Sequence, residues 1–253
     1  MMEAQSPRCL ICCGVLAESD PSHYHSRCSR AFFERSTPPE IPHGLLDIES
    51  LARQEIAQRL AVTGIQPKIS VDLTAAGDDR VPRLSFVGLW GRFILKPPAA
   101  AYPGLVELEH ATMRMAAVAG IETAAHALVR LASGELAYVS RRDDRRDGKK
   151  LAMEDMCQLT GKLTEDKYRS SMEQVGKAIL RWSSNPGLDV TRFFDLAVFS
   201  FLTGNADMHL KNVSLLTEPD DTVRLAPAYD LLATKLARRL SGPSPGMSLD
   251  RSS

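Results

Sequence analysis

Gly204-Asn205-Ala206-Asp207-Met208-His209-Leu210-Lys211-Asn212 is the stretch on which the reading of this chain turns. An Asp followed five positions later by an Asn is the spacing of a loop that handles a phosphoryl group. The carboxylate accepts the proton of an attacking hydroxyl, and the amide oxygen holds Mg²⁺ on the same side of the loop. His209 and Lys211 share the loop as candidate catalytic companions, with His209 expected to brace Asp207 through a hydrogen bond. Asp230 lies eighteen residues beyond Asn212, in Ala228-Tyr229-Asp230-Leu231. Between them Val213 to Leu216 and Val223 to Leu225 read as a hairpin that returns Asp230 to the loop, where a hard carboxylate suits Mg²⁺.

The first half supplies complementary parts. Phe93-Ile94-Leu95-Lys96 puts a lysine at the end of an apolar strand, as a phosphate-pairing lysine requires. Glu109, on the helix expected from Leu105 to Val118, is placed to orient it. Thr63-Gly64-Ile65-Gln66-Pro67-Lys68 is a small-residue turn whose backbone amides suit phosphate oxygens, with Thr63, Gly64, Gln66 and Lys68 as the candidate contacts. Strands are expected at Ile69 to Leu73 and from Arg83 to Leu95, the latter turning near Val87-Gly88. Leu128 to Arg130 and Leu136 to Ser140 read as a hairpin around Ser133-Gly134. A helix capped by Asp47 carries Ile48, Leu51, Ile56 and Leu60 on one side. Ser171 with Gln174 opens another helix, and Asp189 opens a third that carries Phe193, Leu196, Ala197 and Phe201. A strand-rich half followed by a helix-rich half predicts an α+β protein of two lobes with a cleft between them.

Cys9, Cys12, Cys13 and Cys28 crowd the first 28 of 253 residues, while Cys157 stands alone and reads as core. Cys9-x-x-Cys12 and His25-x-x-Cys28 each reach one edge of a tetrahedron, the pattern of a structural Zn²⁺ knuckle. His25 is preferred to His23 because its spacing to Cys28 repeats that of Cys9 to Cys12. Gly14 is expected to supply a positive φ in the knuckle turn. Residues 36–44 cannot be helical and read as a linker after a short helix around 28–35.

With 31 Lys+Arg against 31 Asp+Glu, the chain is no electrostatic glove for nucleic acid, and direct nucleic-acid binding is not expected. The longest uncharged apolar stretch, Leu196 to Leu202, is too short for a bilayer, and no basic start with an apolar run marks a signal sequence. A soluble cytoplasmic protein with no membrane partner is therefore expected. Arg141 to Lys150 reads as a solvated charged loop, and the adjacent Glu154 and Asp155 as structural.

Taken in order, Gly64-Ile65-Gln66-Pro67-Lys68, Ile94-Leu95-Lys96-Pro97, Met153-Glu154-Asp155-Met156-Cys157-Gln158, the Gly204 to Asn212 loop and Pro227-Ala228-Tyr229-Asp230-Leu231 resemble the HipA family of bacterial toxin kinases. More closely, the chain is similar to short HipA-like proteins that begin with a Cys/His knuckle. The resemblance implies a two-lobed protein-kinase-like fold and Ser/Thr protein phosphorylation with ATP and Mg²⁺. It also implies a protein substrate such as an aminoacyl-tRNA synthetase, and a DNA-binding antitoxin as partner. Carried across, Asp207 is the catalytic base, Asn212 and Asp230 the Mg²⁺ ligands, and Lys96 the phosphate clamp. Val139-Ser140-Arg141 corresponds to the adenine-contacting hinge.

The resulting division is a knuckle over 1–36, a linker over 37–44, an N-lobe over 45–140, an incomplete helical C-lobe over 141–240 and a disordered tail over 241–253. The likeness is read as stopping at Thr234, which predicts low stability and weak activity for the chain alone. The competing reading is a non-catalytic remnant that keeps the cleft as a binding or regulatory protein. A small-molecule phosphotransferase and a zinc-knuckle nucleic-acid module rank below both.

Overall fold

A computed structural model describes residues 6–17, 23–58, 67–74, 82–87 and 90–240. Thr63, Gly64 and Gln66, together with Leu60, Gly88 and the 241–253 tail, lie outside the described residues. In chain order the helices and strands of the first half are α1 (Ser26–Phe33), α2 (Leu45–Gln58), β1 (Ile69–Thr74), β2 (Arg83–Phe86), β3 (Phe93–Lys96), α3 (Leu105–Val118), β4 (His126–Arg130) and β5 (Leu136–Arg141). The second half holds β6 (Arg145–Arg146), β7 (Lys149–Lys150), β8 (Met153–Asp155), α4 (Met156–Leu159), α5 (Met172–Trp182), α6 (Pro186–Thr203), β9 (Ser214–Thr217), β10 (Val223–Leu225) and α7 (Thr234–Leu240).

The first five strands form one antiparallel sheet in the order β2-β1-β3-β5-β4. Both faces of this sheet are covered, and side-chain alternation sorts them. Val71, Phe93, Leu95, Val139, Ala127 and Val129 face a core built with Cys9, Leu16, Tyr24, Phe32, Phe33 and Ile48. Leu128 and Tyr138 face the other way, onto Val106, Met113 and Ala116 of α3 and Leu196 of α6. The second lobe has its own core of Met156, Cys157, Val175, Ile179, Phe193, Leu210, Val213 and Leu215, roofed by the three-stranded sheet β10-β9-β8. Among the described residues no helix is long and apolar enough to cross a membrane.

Several local expectations need correcting, each for a physical reason. α1 starts two residues before the expected 28–35 helix and stops at Glu34, which is left-handed at φ 61°. The 36–44 stretch is tied down: Glu40 exchanges backbone bonds with Pro82 and Leu84, and Ile41 is buried in the first core. Asp47 does not precede its helix but sits in the first turn, where its Oδ2 accepts the Gly44 N–H at 3.0 Å. α6 begins at Pro186, three residues before Asp189. Asp189 is instead a buried carboxylate that accepts the Leu225 N–H at 2.8 Å and the Ser183 hydroxyl at 2.6 Å, pinning α6 to β10. Phe201 is exposed, because α6 buries a stripe through Phe193, Leu196 and Ser200. The charged run is a hairpin of β6 and β7, its turn made by Asp147 and Gly148 at φ 51° and 71°. Asp144 anchors it, taking ion pairs from Arg142 at 2.9 Å and Arg145 at 2.5 Å.

Candidate active site

Lys96 ends β3, where pairing with Tyr138 of β5 aims its side chain at the α3 face of the sheet. There its ammonium donates to Glu109 Oε1 at 2.5 Å and also to Asp230 Oδ1, and it lies 5.3 Å from the centre of the Tyr138 ring. Glu109 reaches it because α3 lies across that face and buries Val106, Glu109 and Met113 along one stripe. Asp230 is returned by the backbone. Ala228 exchanges bonds with Glu122 and Ala124 at 2.8 and 2.9 Å, just before β4, and Asp230 itself turns left-handed at φ 60°. Lys68 Nζ meets Asp230 Oδ2 at 2.8 Å, and Asn212 Nδ2 donates to the same oxygen at 3.2 Å. The structure thus gathers Lys68, Lys96, Glu109, Asn212 and Asp230 into one cluster.

Electrostatics follow from this gathering. Burial works against the Lys96 ammonium, but Glu109 and Asp230 outweigh it and hold its pKa above the ordinary lysine value. Burial pushes the Asp230 carboxyl up, yet Lys96 and Lys68 pull harder and keep it far below the usual carboxylate range. Burial dominates at Glu109, which is raised despite Lys96.

The Asp207 end of the loop is more open. Tyr168, which no sequence signal singled out, donates its hydroxyl to Asp207 Oδ1 at 2.5 Å. The His209 ring packs edge-on to Tyr168 with centroids 5.0 Å apart, and its buried Nδ1 has no hydrogen-bond partner. The hydroxyl that reaches Asp207 is therefore Tyr168's, and His209 supports the tyrosine ring. The His209 N–H donates to Asn212 Oδ1 at 3.1 Å, closing the loop on itself. Lys211 turns to Thr164 Oγ1 at 3.4 Å and to Asp155 at 3.7 Å. Asp155 caps α4 by accepting the Gln158 N–H, a structural task as expected. Cys157 is buried core.

The Val139-Ser140-Arg141 stretch divides. Because β5 lies between β3 and β4, alternation puts Ser140 on the face of Lys96 and Tyr138, whereas Val139 and Arg141 point into the layer of α1. Arg141 donates to the Phe32 carbonyl, pairs with Glu34 at 3.3 Å and lies over the Phe32 and Phe93 rings. Neither side chain can face a ligand on the Lys96 side.

At the N-terminus Cys9, Cys12, His25 and Cys28 bring their donor atoms within 4.8 Å of one another. Tetrahedral zinc with thiolate and imidazole ligands has donor–donor edges of about 3.5–3.8 Å, so this set fits that ion. His25 Nε2–H donates to the Val15 carbonyl at 3.0 Å, which leaves Nδ1 as the ligand atom, 3.3 Å from Cys12 Sγ. The left-handed residue of the turn is Cys13, at φ 61°, rather than Gly14. Gly14 is needed for space: a Cβ there would lie 3.3 Å from both Cys12 Sγ and His25 Cε1.

Comparison with known proteins agrees with this architecture. The family model for the HipA-like C-terminal domain matches residues 60–253, running past the Thr234 limit read from the sequence. A Sinorhizobium fredii protein named "Putative kinase Y4mE" is 37% identical over 73% of this chain and 44% of its own length. A Haemophilus influenzae protein named "Putative kinase" is 31% identical over 77% of this chain and 58% of its own. The chain thus spans about half the length of the curated relatives it matches. Among solved structures, HipA of Shewanella oneidensis, in a toxin–antitoxin complex with HipB and operator DNA, superposes with a TM-score of 0.57. That match has 26% identity and covers 70% of this chain and 45% of HipA. With the match spanning the sheet, the lysine–carboxylate cluster and the Asp207 loop, the chain belongs to the HipA-like C-terminal domain family, with its two-lobed kinase-like fold.

Proposed function

We propose that the chain is an ATP- and Mg²⁺-dependent Ser/Thr protein kinase of the HipA toxin type. The observation that carries this reading is Lys96, held between Glu109 and Asp230 while Asn212 bonds the same Asp230 and Asp207 begins the same loop. Asp230 and Asn212 would hold Mg²⁺: both offer hard oxygens, and Asn212 Oδ1 keeps a second lone pair beside the His209 N–H. Held there, Mg²⁺ would supply positive charge to offset that of the transferring phosphoryl group. Lys96 and Lys68 would turn part of their charge from Asp230 to the phosphates, with Glu109 keeping Lys96 in place. Asp207 takes the proton from the acceptor hydroxyl. Zn²⁺ on Cys9, Cys12, His25 and Cys28 would be structural, since all four positions are filled by protein ligands. A DNA-binding antitoxin partner is supported by the HipB complex of the similar HipA.

Incubating the protein with labelled ATP, Mg²⁺ and a cell lysate tests the reading. A labelled protein band is expected from the wild type and none from Asp207→Ala, which should still bind ATP because the base meets the acceptor rather than the nucleotide. A labelled small molecule would reassign the substrate. Equal labelling by both proteins, or none by the wild type, sinks the kinase reading, and ATP binding without transfer would favour the non-catalytic alternative.

A further inference from the structure

The Asp207 carboxylate already receives a hydroxyl from within the chain. Tyr168 Oη donates to Oδ1 at 2.5 Å, the geometry in which an acceptor hydroxyl would offer its proton to a general base. The contact is held by its surroundings. The Leu210 N–H donates to the Lys167 carbonyl at 3.1 Å, fixing the residue beside Tyr168 to the catalytic loop. Lys211 Nζ reaches Thr164 at 3.4 Å, and the Tyr168 ring lies edge-on to His209 at 5.0 Å. Lys162 further ties the segment together by donating to the Arg169 carbonyl.

We propose that the Tyr168 hydroxyl occupies the acceptor-hydroxyl position on Asp207, so that a substrate hydroxyl must displace it before transfer. The inference rests on the kinase reading and adds to it a residue that selects acceptors. Tyr168 is 58% exposed, so its ring can swing outward without opening either core. What an acceptor must exchange is one charge-assisted hydrogen bond, one edge-on ring contact and the Lys167 ammonium 4.9 Å from the ring centre, a barrier that a well-seated protein hydroxyl overcomes and a stray one does not. Water is the commonest stray acceptor. The tyrosine thereby also limits wasteful hydrolysis of nucleotide.

Tyr168→Phe keeps the ring on His209 and removes only the hydroxyl, leaving Asp207 to water. Hydrolysis of Mg·ATP without any protein acceptor should rise about tenfold, equivalent to ~1.4 kcal/mol, with ATP affinity unchanged. Tyr168→Ala, which also removes the ring, should raise it too. A residue that merely supported the fold would lower the rate in both variants, so an increase separates the two roles. If the wild type hydrolyses ATP and neither variant is faster, the acceptor-position proposal is overturned while the kinase reading stands. If no protein of the three transfers phosphate to water or to lysate protein, both readings fall together.

Discussion

Two carboxylates reached from one loop, Asp230 and Asp207, live in opposite surroundings. Asp230 is gripped by Lys96, Lys68 and Asn212, and its partner Lys96 is almost wholly enclosed with Glu109. Asp207 is exposed and meets the hydroxyl of Tyr168, a side chain that is itself exposed. The contrast teaches where the molecule has settled its charges in advance. At the Asp230 end, opposite charges are paired inside the fold, so the cluster and the stability of the first lobe depend on the same ion pairs. At the Asp207 end the carboxylate stays in water, where it costs the fold little.

The strongest way to break the comparison is to remove Glu109. Glu109→Ala leaves the buried Lys96 with Asp230 alone and should cost about 3–5 kcal/mol in urea unfolding. Asp207→Ala should shift the same measurement by less than about 0.5 kcal/mol. Similar losses in the two variants would erase the distinction between the two ends.

Removing metal from the knuckle probes the lobe behind Lys96. Cys9, Leu16, Tyr24, Phe32 and Phe33 share a core with Phe93 and Leu95 of β3. The purified protein should carry about one equivalent of zinc, which Cys12→Ser loses. Chelation should destabilise by ~2.7 kcal/mol where free zinc had stood at a hundredfold its Kd. A metal-free protein whose melting ignores chelator would show the four donors to be idle.

A smaller, pH-dependent effect sharpens the picture beneath the lysine. His126 stacks on Tyr138 at 5.7 Å and contacts His110 at 2.9 Å between ring nitrogens. Burial lowers His110 to about 4, and burial with the neighbouring His110 lowers His126 to about 3. Below about pH 6.5 the unfolded chain binds protons that the folded chain refuses, so each histidine makes stability fall with falling pH, by ~1.4 kcal/mol per unit at most. Asp143, pushed by burial up to about 6, runs the other way between about pH 6 and 4 and offsets one histidine. His126→Phe should therefore flatten the decline between pH 6 and 4 by about one proton, read from urea midpoints at several pH values. An unchanged slope would show that His126 is protonated within the fold.

Much of the lysine–carboxylate cluster was legible because its signals are local. The Asp207 to Asn212 spacing, the lysine closing an apolar strand and the Val213 to Leu225 hairpin are short patterns whose geometry is set by the backbone. The Cys/His pairs were legible for the same reason, and all four ligands converge. What could not be read depends on distant packing. Tyr168 comes to Asp207 across 39 residues through a backbone bond between Leu210 and Lys167. Arg141 faces α1 because β5 turned out to be an inner strand, a matter of sheet order rather than of the residue. Asp189 looks like a helix opener in any window of sequence, and only the arrival of β10 makes it a buried anchor. Phe201 lies five residues beyond Leu196, which at 100° per residue carries it well off the buried stripe.

The knuckle's attachment to β4 has a consequence outside the chemistry. β4 ends the sheet, and at Leu128 its N–H is taken by the Leu10 carbonyl at 2.8 Å while its carbonyl accepts the Tyr24 hydroxyl at 3.0 Å. An uncovered terminal strand is a template on which another chain can lay a strand of its own. A knuckle loosened by oxidation or chelation would uncover those two groups together, in a strand whose neighbours Ala127 and Val129 are apolar. Loss of the N-terminal segment would then be felt first as intermolecular association, appearing in light scattering before any loss of helix signal.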